Sequence, residues 1–336
     1  MLYETVDARH AARAPGTQGI LGYWYNHGGL NNQKMALIGL ILSGIRDRMP
    51  INLPYIYNKD LRTEAEHLVR VEDVFDLDAI RDFASRHGVT VHAECPCGER
   101  GGWDYFRAFN DFFATAGDRD SLQTALGAVL CLKPRIALHP AFLTLRNFVF
   151  NALGIDTVVQ LRIETDWRHH VATRLRPIVG DSEDNDIGFQ QILAKVRNTF
   201  PDVKMLYVTA DEQDLPAPRQ EIRDAGRSLF GIELLWKTDL LDPAMVNQLT
   251  PLDLSLIDFE IARCSRRFVG LSRSTFAGML AIEQFAATGR SVTGHYIYNR
   301  PGDVVVQRQD NGFTSASQRA LSPFAPARLL ADRDSA

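Results

Sequence analysis

From residue 156 to residue 298 short apolar runs alternate with helix-forming stretches, and no feature of the chain limits its possible folds more. The runs "DTVVQLRIE", "KMLYVT", "IELLW", "RFVGLS" and "SVTGHYIY" are rich in β-branched and aromatic residues, as strands require. Between them lie stretches such as "IGFQQILAKVRNTF", which sets Phe189, Ile192, Leu193, Val196 and Phe200 along one helical face. Strands separated by helices cannot pair through hairpins. They cross over and lie parallel, so the pattern predicts a doubly wound α/β sheet. In such sheets ligands sit outside the carboxyl ends of the strands, and residues just after each strand deserve the closest reading.

The first half starts with the same unit. "GILGYWY" (19–25) reads as a buried strand, "NHGGLNNQ" as a polar turn, and Met35, Leu37, Ile38, Leu40, Ile41, Leu42 and Ile45 as a helix apolar on most faces. "RDRMP" ends that helix, and "INLPYIY" reads as the next strand of a right-handed βαβ unit. Residues 60 to 150 are less regular: "VEDVFDLDAIRDFASRHGVTVHAECP" predicts an acidic turn, a helix with Gly88 just past its end, and a strand, and "WDYFRAFNDFFATAG" is amphipathic and aromatic. Of its aromatics, Trp103, Tyr105 and Phe106 fit either a core or a sugar-stacking surface. A chain of 336 residues suits two domains, here 1–150 and 151–310, with an irregular tail over 311–336.

Composition narrows the functional classes. Apolar content of 45% and charged content of 23% are those of a globular protein, and a net charge of −4 with no basic stripe argues against a nucleic-acid partner. The N-terminus lacks the order of a signal peptide and no run is long enough for a transmembrane segment, so a cytoplasmic location is expected. Cys95 and Cys97 are one residue apart with no second pair to complete a zinc knuckle, and with Cys131 and Cys264 they read as reduced thiols. The adjacent His169 and His170 point apart and do not suggest a metal. No GxSxG elbow or HExxH motif occurs.

Four segments carry possible chemistry. In the first, Gly28 and Gly29 admit unusual torsions or close approach, Asn31 and Asn32 can cap the helix or face a substrate, and His27 is a candidate base or a plain turn residue. A helix start also offers free N–H groups to phosphate or sugar oxygens, although the glycine spacing and the Lys34-Met35 pair fit neither GxGxxG nor a Walker loop. In "QLRIETDW", Arg162 needs a partner: Glu164, Asp166, or a bound phosphate. "ETD" is not the Asp–x–Asp expected of an acidic metal motif. In "FVGLSRSTFAG", Ser272, Arg273, Ser274 and Thr275 crowd a helix start with the composition of an anion site or of an ordinary N-cap. In "VTADEQD", Asp211 and Glu212 could accept from the N–H groups of a purine or lie in a solvated loop.

Taken in order, the segments resemble the GDP-fucose protein O-fucosyltransferase family, its plant branch included. "GGLNNQ" is similar to the family's GGLNQ and GRFGNQ loops, "VEDVFDLDAI" to its FDIFD segment, "VVQLRIETDW" to its HLRxExD strand end, and "LDLSLIDFEIARCSRRFVGLSRSTFAGML" to its nucleotide loop, over residues 19 to 298. The resemblance implies a GT-B fold, two Rossmann-like parallel-sheet domains facing a cleft, and inverting, metal-independent transfer from GDP-fucose to a glycan, peptide or small-molecule hydroxyl, with no cofactor beyond the donor. It implies that Gly28, Gly29, Asn31 and Asn32 face donor and acceptor, that Arg162 holds the diphosphate, that Ser274, Thr275 and Phe276 line the nucleotide pocket, and that Asp211 or Glu212 lies near the base. Gln160 stands where the family has histidine, and the animal enzymes' disulfides and secretory signal are absent. The alternatives are another nucleotide sugar, or a relative that binds glycan or nucleotide without turnover.

Overall fold

The computed structural model describes residues 5–7, 19–60, 65–93, 100–116, 118–176, 183–289 and 293–309. Cys95, Cys97 and the tail from 311 lie outside the described residues.

The second half forms the expected sheet. Its strands are β7 (Thr157–Gln160), β8 (Met205–Thr209), β9 (Glu233–Leu235), β10 (Arg267–Gly270) and β11 (His295–Ile297), all parallel. A short β12 (Val306–Gln307) adds an antiparallel edge in the region where the sequence pattern lapses. The spatial order is β12-β11-β10-β7-β8-β9, so the chain winds outward from β7 in one direction and from β10 in the other. Side-chain alternation serves both faces: Val158, Tyr207 and Phe268 enter one apolar cluster, and Val159, Leu206, Val208 and Val269 enter the other.

The first half departs from a plain βαβ reading. β2 (Leu21–Gly22), β3 (Ile51–Asn52) and β6 (Val91–His92) make a parallel sheet of two-residue strands. "INLPYIY" is divided at Pro54, and from Tyr55 onward the chain forms β4 (Tyr55–Asp60), which pairs antiparallel with β5 (Ala65–Arg70) and, through it, β1 (Thr5–Asp7). Proline brings no N–H to a ladder and commonly marks such a change of partner. "GILGYWY" contributes only Leu21–Gly22 to a ladder; Tyr23 is buried, and Trp24 and Tyr25 pack edge-on and stacked against Tyr55 and Tyr57.

Helix α1 (Leu30–Asp47) is buried on nearly every side, as its composition predicts. It is surrounded by helices from both halves: α3 (Gly102–Thr115), α4 (Arg119–Cys131), α6 (Pro251–Cys264) and α7 (Thr275–Thr288), while α2 (Leu77–Arg86), N-capped by Asp76, packs on α4, and α5 (Thr165–His170) follows β7. Leu37, Ile38, Leu40 and Ile41 are fully buried, each stabilising the fold by about 1.5–3 kcal/mol. At the crossing of α1 and α3 a Cβ on Gly39 would lie 2.0 Å from the Tyr105 carbonyl oxygen, so the two backbones touch there. Across the halves, Lys34 of α1 pairs with Glu283 of α7 while its Nζ lies 3.9 Å from the centre of the Phe259 ring. One apolar cluster consequently runs from Tyr23 to Ile282. Among the described residues no helix is long and apolar enough to cross a membrane.

Candidate functional site

The switch point of the six-stranded sheet lies between β7 and β10, whose following connections run in opposite directions. The β7 end delivers Gln160, Arg162 and Glu164, and the β10 end delivers Ser272 to Phe276. Gln160 Nε2 donates to Ser274 Oγ at 3.0 Å and ties the two loops together. Both border a cavity of about 1210 Å³.

Arg162 is three-quarters covered and held by two carboxylates. Its terminal nitrogens donate to Asp166 at 2.9 and 3.2 Å, one of them lies 3.1 Å from Glu164, and the guanidinium sits 5.2 Å from the Trp167 ring. Burial works against its charge, but Glu164 and Asp166 outweigh burial and hold it above the ordinary arginine range. Glu164 is buried and its carboxyl is pushed up by burial against the pull of Arg162; its other oxygen accepts from the Asp211 N–H at 3.1 Å. Asp166 is 63% exposed, so its arm of the fork is the weaker one.

The Ser272–Thr275 turn is anchored from behind. Ser274 caps α7 by accepting from the Ala277 N–H, as an ordinary N-cap does. Arg273 is not a free cation: its Nε donates to the buried Glu183 at 2.6 Å. Glu183 also accepts from Ser272 Oγ at 3.1 Å and pairs with Arg300 at 3.0 Å, while Asn299 accepts from the Ser272 N–H. Glu183 borders a smaller cavity of about 550 Å³ as well, where the Lys195 ammonium is taken up by the Tyr298 and Arg300 carbonyls at 3.0 and 2.6 Å. Phe276 lines the main cavity while packing on Phe259 and Phe268.

Asp211 and Glu212 follow β8 to the same cavity. Glu212 is mostly buried and paired with Lys237 at 3.1 Å and with Arg219, so it is no solvated loop residue. Lys237 donates to Asp258 at 2.7 Å, and Tyr207 donates to the other oxygen of Asp258 at 2.7 Å. Burial pushes the Asp258 carboxyl from 3.8 up to about 6, with Lys237 pulling it back. Burial opposes the charge of Lys237, but Asp258 and Glu212 hold it above the usual lysine range. The sequence reading missed Lys237, Asp258 and Glu183. Their burial, which makes each of them need a partner, shows only in the fold.

The first loop contributes in part. Gly29, Asn31 and Asn32 border the cavity; His27 and Gly28 are not among its lining residues. His27 instead packs edge-on against Tyr25 and Tyr57. Neither glycine adopts a positive φ, so unusual torsion is not their role. Gly28 is required by close approach, since a Cβ there would meet Asn32 Cβ at 2.6 Å and Asn26 Oδ1 at 2.9 Å. Nor do the asparagines cap α1: Gly29 holds the N-cap position with no side-chain bond, and Asn31 and Asn32 lie within the first turn. Lys34 is buried against α7, away from the loop's polar edge.

Among the described residues, five buried oxygens on this cavity have no hydrogen-bond partner; those of Glu164 and Glu212 are ion-paired with Arg162 and Lys237, which leaves Asn31 Oδ1, Gln160 Oε1 and Thr209 Oγ1 unmet. Gln160 and Thr209 are neighbours in the β7–β8 register. Buried polar atoms in folded proteins are rarely left unpaired without a ligand, ion or water to meet them. Among the described residues no group of three or more His, Cys, Asp or Glu side chains is placed to hold a metal ion.

Comparison with solved structures brings up crystal structures of POFUT1, a GDP-fucose protein O-fucosyltransferase. The complex with GDP-fucose has a TM-score of 0.52 at 15% identity, covering 88% of this chain and 100% of that one. A complex with GDP gives 0.51 at 14%, covering 81% and 97%. The likeness is one of fold. No protein-family model matches the chain, and no curated protein sequence matches it.

Proposed function

We propose that the chain is a glycosyltransferase of GT-B architecture that moves fucose from GDP-fucose to a hydroxyl acceptor, with inversion and without a metal. On this reading residues 1–150 form the acceptor-side domain and 151–310 the nucleotide-sugar domain. The observation that carries it is that Arg162 and the Ser272–Thr275 helix start, on loops tied together by Gln160 and Ser274 across the switch point, line one cavity with unpaired oxygens. The fold shared with POFUT1, which is seen with GDP and GDP-fucose, supports the choice of donor.

The acceptor oxygen bonds to the anomeric carbon as the carbon–oxygen bond to the β-phosphate breaks. The electron pair of that bond leaves with the diphosphate, and the hydroxyl proton passes to water. Negative charge therefore builds on the leaving group, and fixed donors aimed there give most of the stabilisation. Glu164 fixes Arg162 from the buried side, and the exposed Asp166 is the partner a diphosphate displaces. Free N–H groups at the start of α7 add donors on the facing loop. Asp211 lines the same cavity, and on this reading it faces the base.

Calorimetry with GDP and GDP-fucose tests the reading, and a folded protein that binds neither sinks it. Arg162→Lys keeps a charge beside Glu164 and loses the planar fork. It is expected to lower transfer by roughly 100-fold or more while the unfolding midpoint holds. A matching loss of stability would assign Arg162 to the fold instead.

A further inference from the structure

The cavity is larger than a single donor needs. Sites for one small ligand span roughly 300–1,000 Å³, and this one measures about 1210 Å³. Part of its wall is α3, which turns Trp103, Phe106, Phe109, Asn110 and Phe113 toward the cavity while Tyr105 packs into the core on Tyr23 at 5.4 Å. Phe109 and Phe113 are buried, but Trp103 is 41% exposed and stands edge-on to Phe106 with ring centres 5.3 Å apart. The chain's other tryptophans are more covered: Trp167 and Trp236 are buried and Trp24 is half-buried against Tyr55.

We infer that this wall binds the acceptor and that the acceptor is a carbohydrate, seated with the apolar face of a pyranose ring on Trp103 and Phe106. The inference rests on the transferase reading for its catalytic meaning, not for the binding surface. A pyranose has a C–H face that covers an indole and a rim of hydroxyls that donate to oxygens. The rim suits what surrounds the aromatics: the amides of Asn110 and Asn32 border the same cavity, and Asn31 Oδ1 is a buried acceptor with no partner. A purely apolar acceptor would cover the indole but leave that oxygen unmet, at a cost of about 1–3 kcal/mol. The position of α3 relative to Asn31 is set by the backbone contact at Gly39, so rings and amide face the cavity as one rigid unit.

The experiment uses the full chain saturated with GDP and titrated with lactose, cellobiose, maltose and N,N′-diacetylchitobiose, followed by tryptophan fluorescence and calorimetry. At least one sugar is expected to change the emission. Trp103→Phe should keep binding by calorimetry while losing the optical change, and Trp103→Ala should weaken sugar binding by tenfold or more with GDP affinity unchanged. No response to any of these sugars in protein that binds GDP overturns the inference, as does a response to p-nitrophenol or an extended peptide in their place. If GDP itself does not bind but a sugar still responds through Trp103, the carbohydrate site stands and the transferase reading falls.

Discussion

The six-stranded sheet and the parallel three-stranded sheet of β2, β3 and β6 follow one rule, strand–helix–strand, with different consequences. In the six-stranded sheet five parallel strands are covered on both faces, and their order alone brings the loops after β7, β8 and β10 to one place. In the three-stranded sheet each strand contributes two residues, too few to position a long helix by pairing. There α1 packs on the short strands but is held chiefly by helices, two of them from the far half of the chain. One wall of the cavity is thus set by sheet topology and the other by helix packing. The two walls should fail differently when perturbed.

The largest effect is expected on the sheet side. Lys237 is a buried cation between Asp258 and Glu212, and Lys237→Met leaves both carboxylates without it. Breaking a buried pair from one side costs about 3–5 kcal/mol. Urea unfolding should show a loss of that order, and adding Asp258→Asn should restore part of it. A double variant no more stable than the single one would mean that Lys237 acts through packing rather than charge.

The helix side should yield less in stability and more in geometry. Gly39→Ala places a methyl against the Tyr105 carbonyl, which is backbone and cannot swing aside. Overpacking of this kind costs about 1–3 kcal/mol. Because α3 must move as a body, the Trp103–Phe106 surface shifts with it. The expected signature is a change in Trp103 emission with GDP affinity retained, and equal losses on both walls would show that the walls are not independent.

The same contrast explains what was legible in the sequence. Strand–helix alternation exposed all five parallel strands of the larger sheet and, with them, the addresses of Arg162 and Ser272–Phe276. Nothing local revealed that Arg273 would be spent on Glu183, since that pair joins residues 90 apart in sequence. Asp258 was hidden because its helix also carries Asp253 and Glu260, and no local pattern tells which carboxylate meets Lys237. The hairpin of β4 and β5 was missed because Pro54 divides one apolar run between two sheets. In the first loop the glycines fit unusual torsions or close approach alike on sequence, and neither has a positive φ. One of them is needed for crowding and the other borders open space, a distinction fixed by neighbours rather than by composition.

That last distinction gives the smallest perturbation and a direct probe of the loop. A Cβ at Gly29 meets nothing within 4 Å, and its φ of −56° suits any residue. Gly29→Ala should therefore change stability by less than about 0.5 kcal/mol. Gly29 nevertheless borders the cavity beside Asn31 and Asn32, at the helix start whose first N–H groups face outward. If a ligand approaches the backbone there, the added methyl stands in its way, and donor or acceptor binding falls while the unfolding midpoint does not move. Gly28→Ala is the opposite case, with its Cβ driven against Asn32 and Asn26, and it should lower the midpoint before binding is even measured. Equal behaviour of the two alanine variants would mean that the loop serves α1 as a plain turn, whereas a split between stability at Gly28 and binding at Gly29 identifies it as the edge of a ligand site.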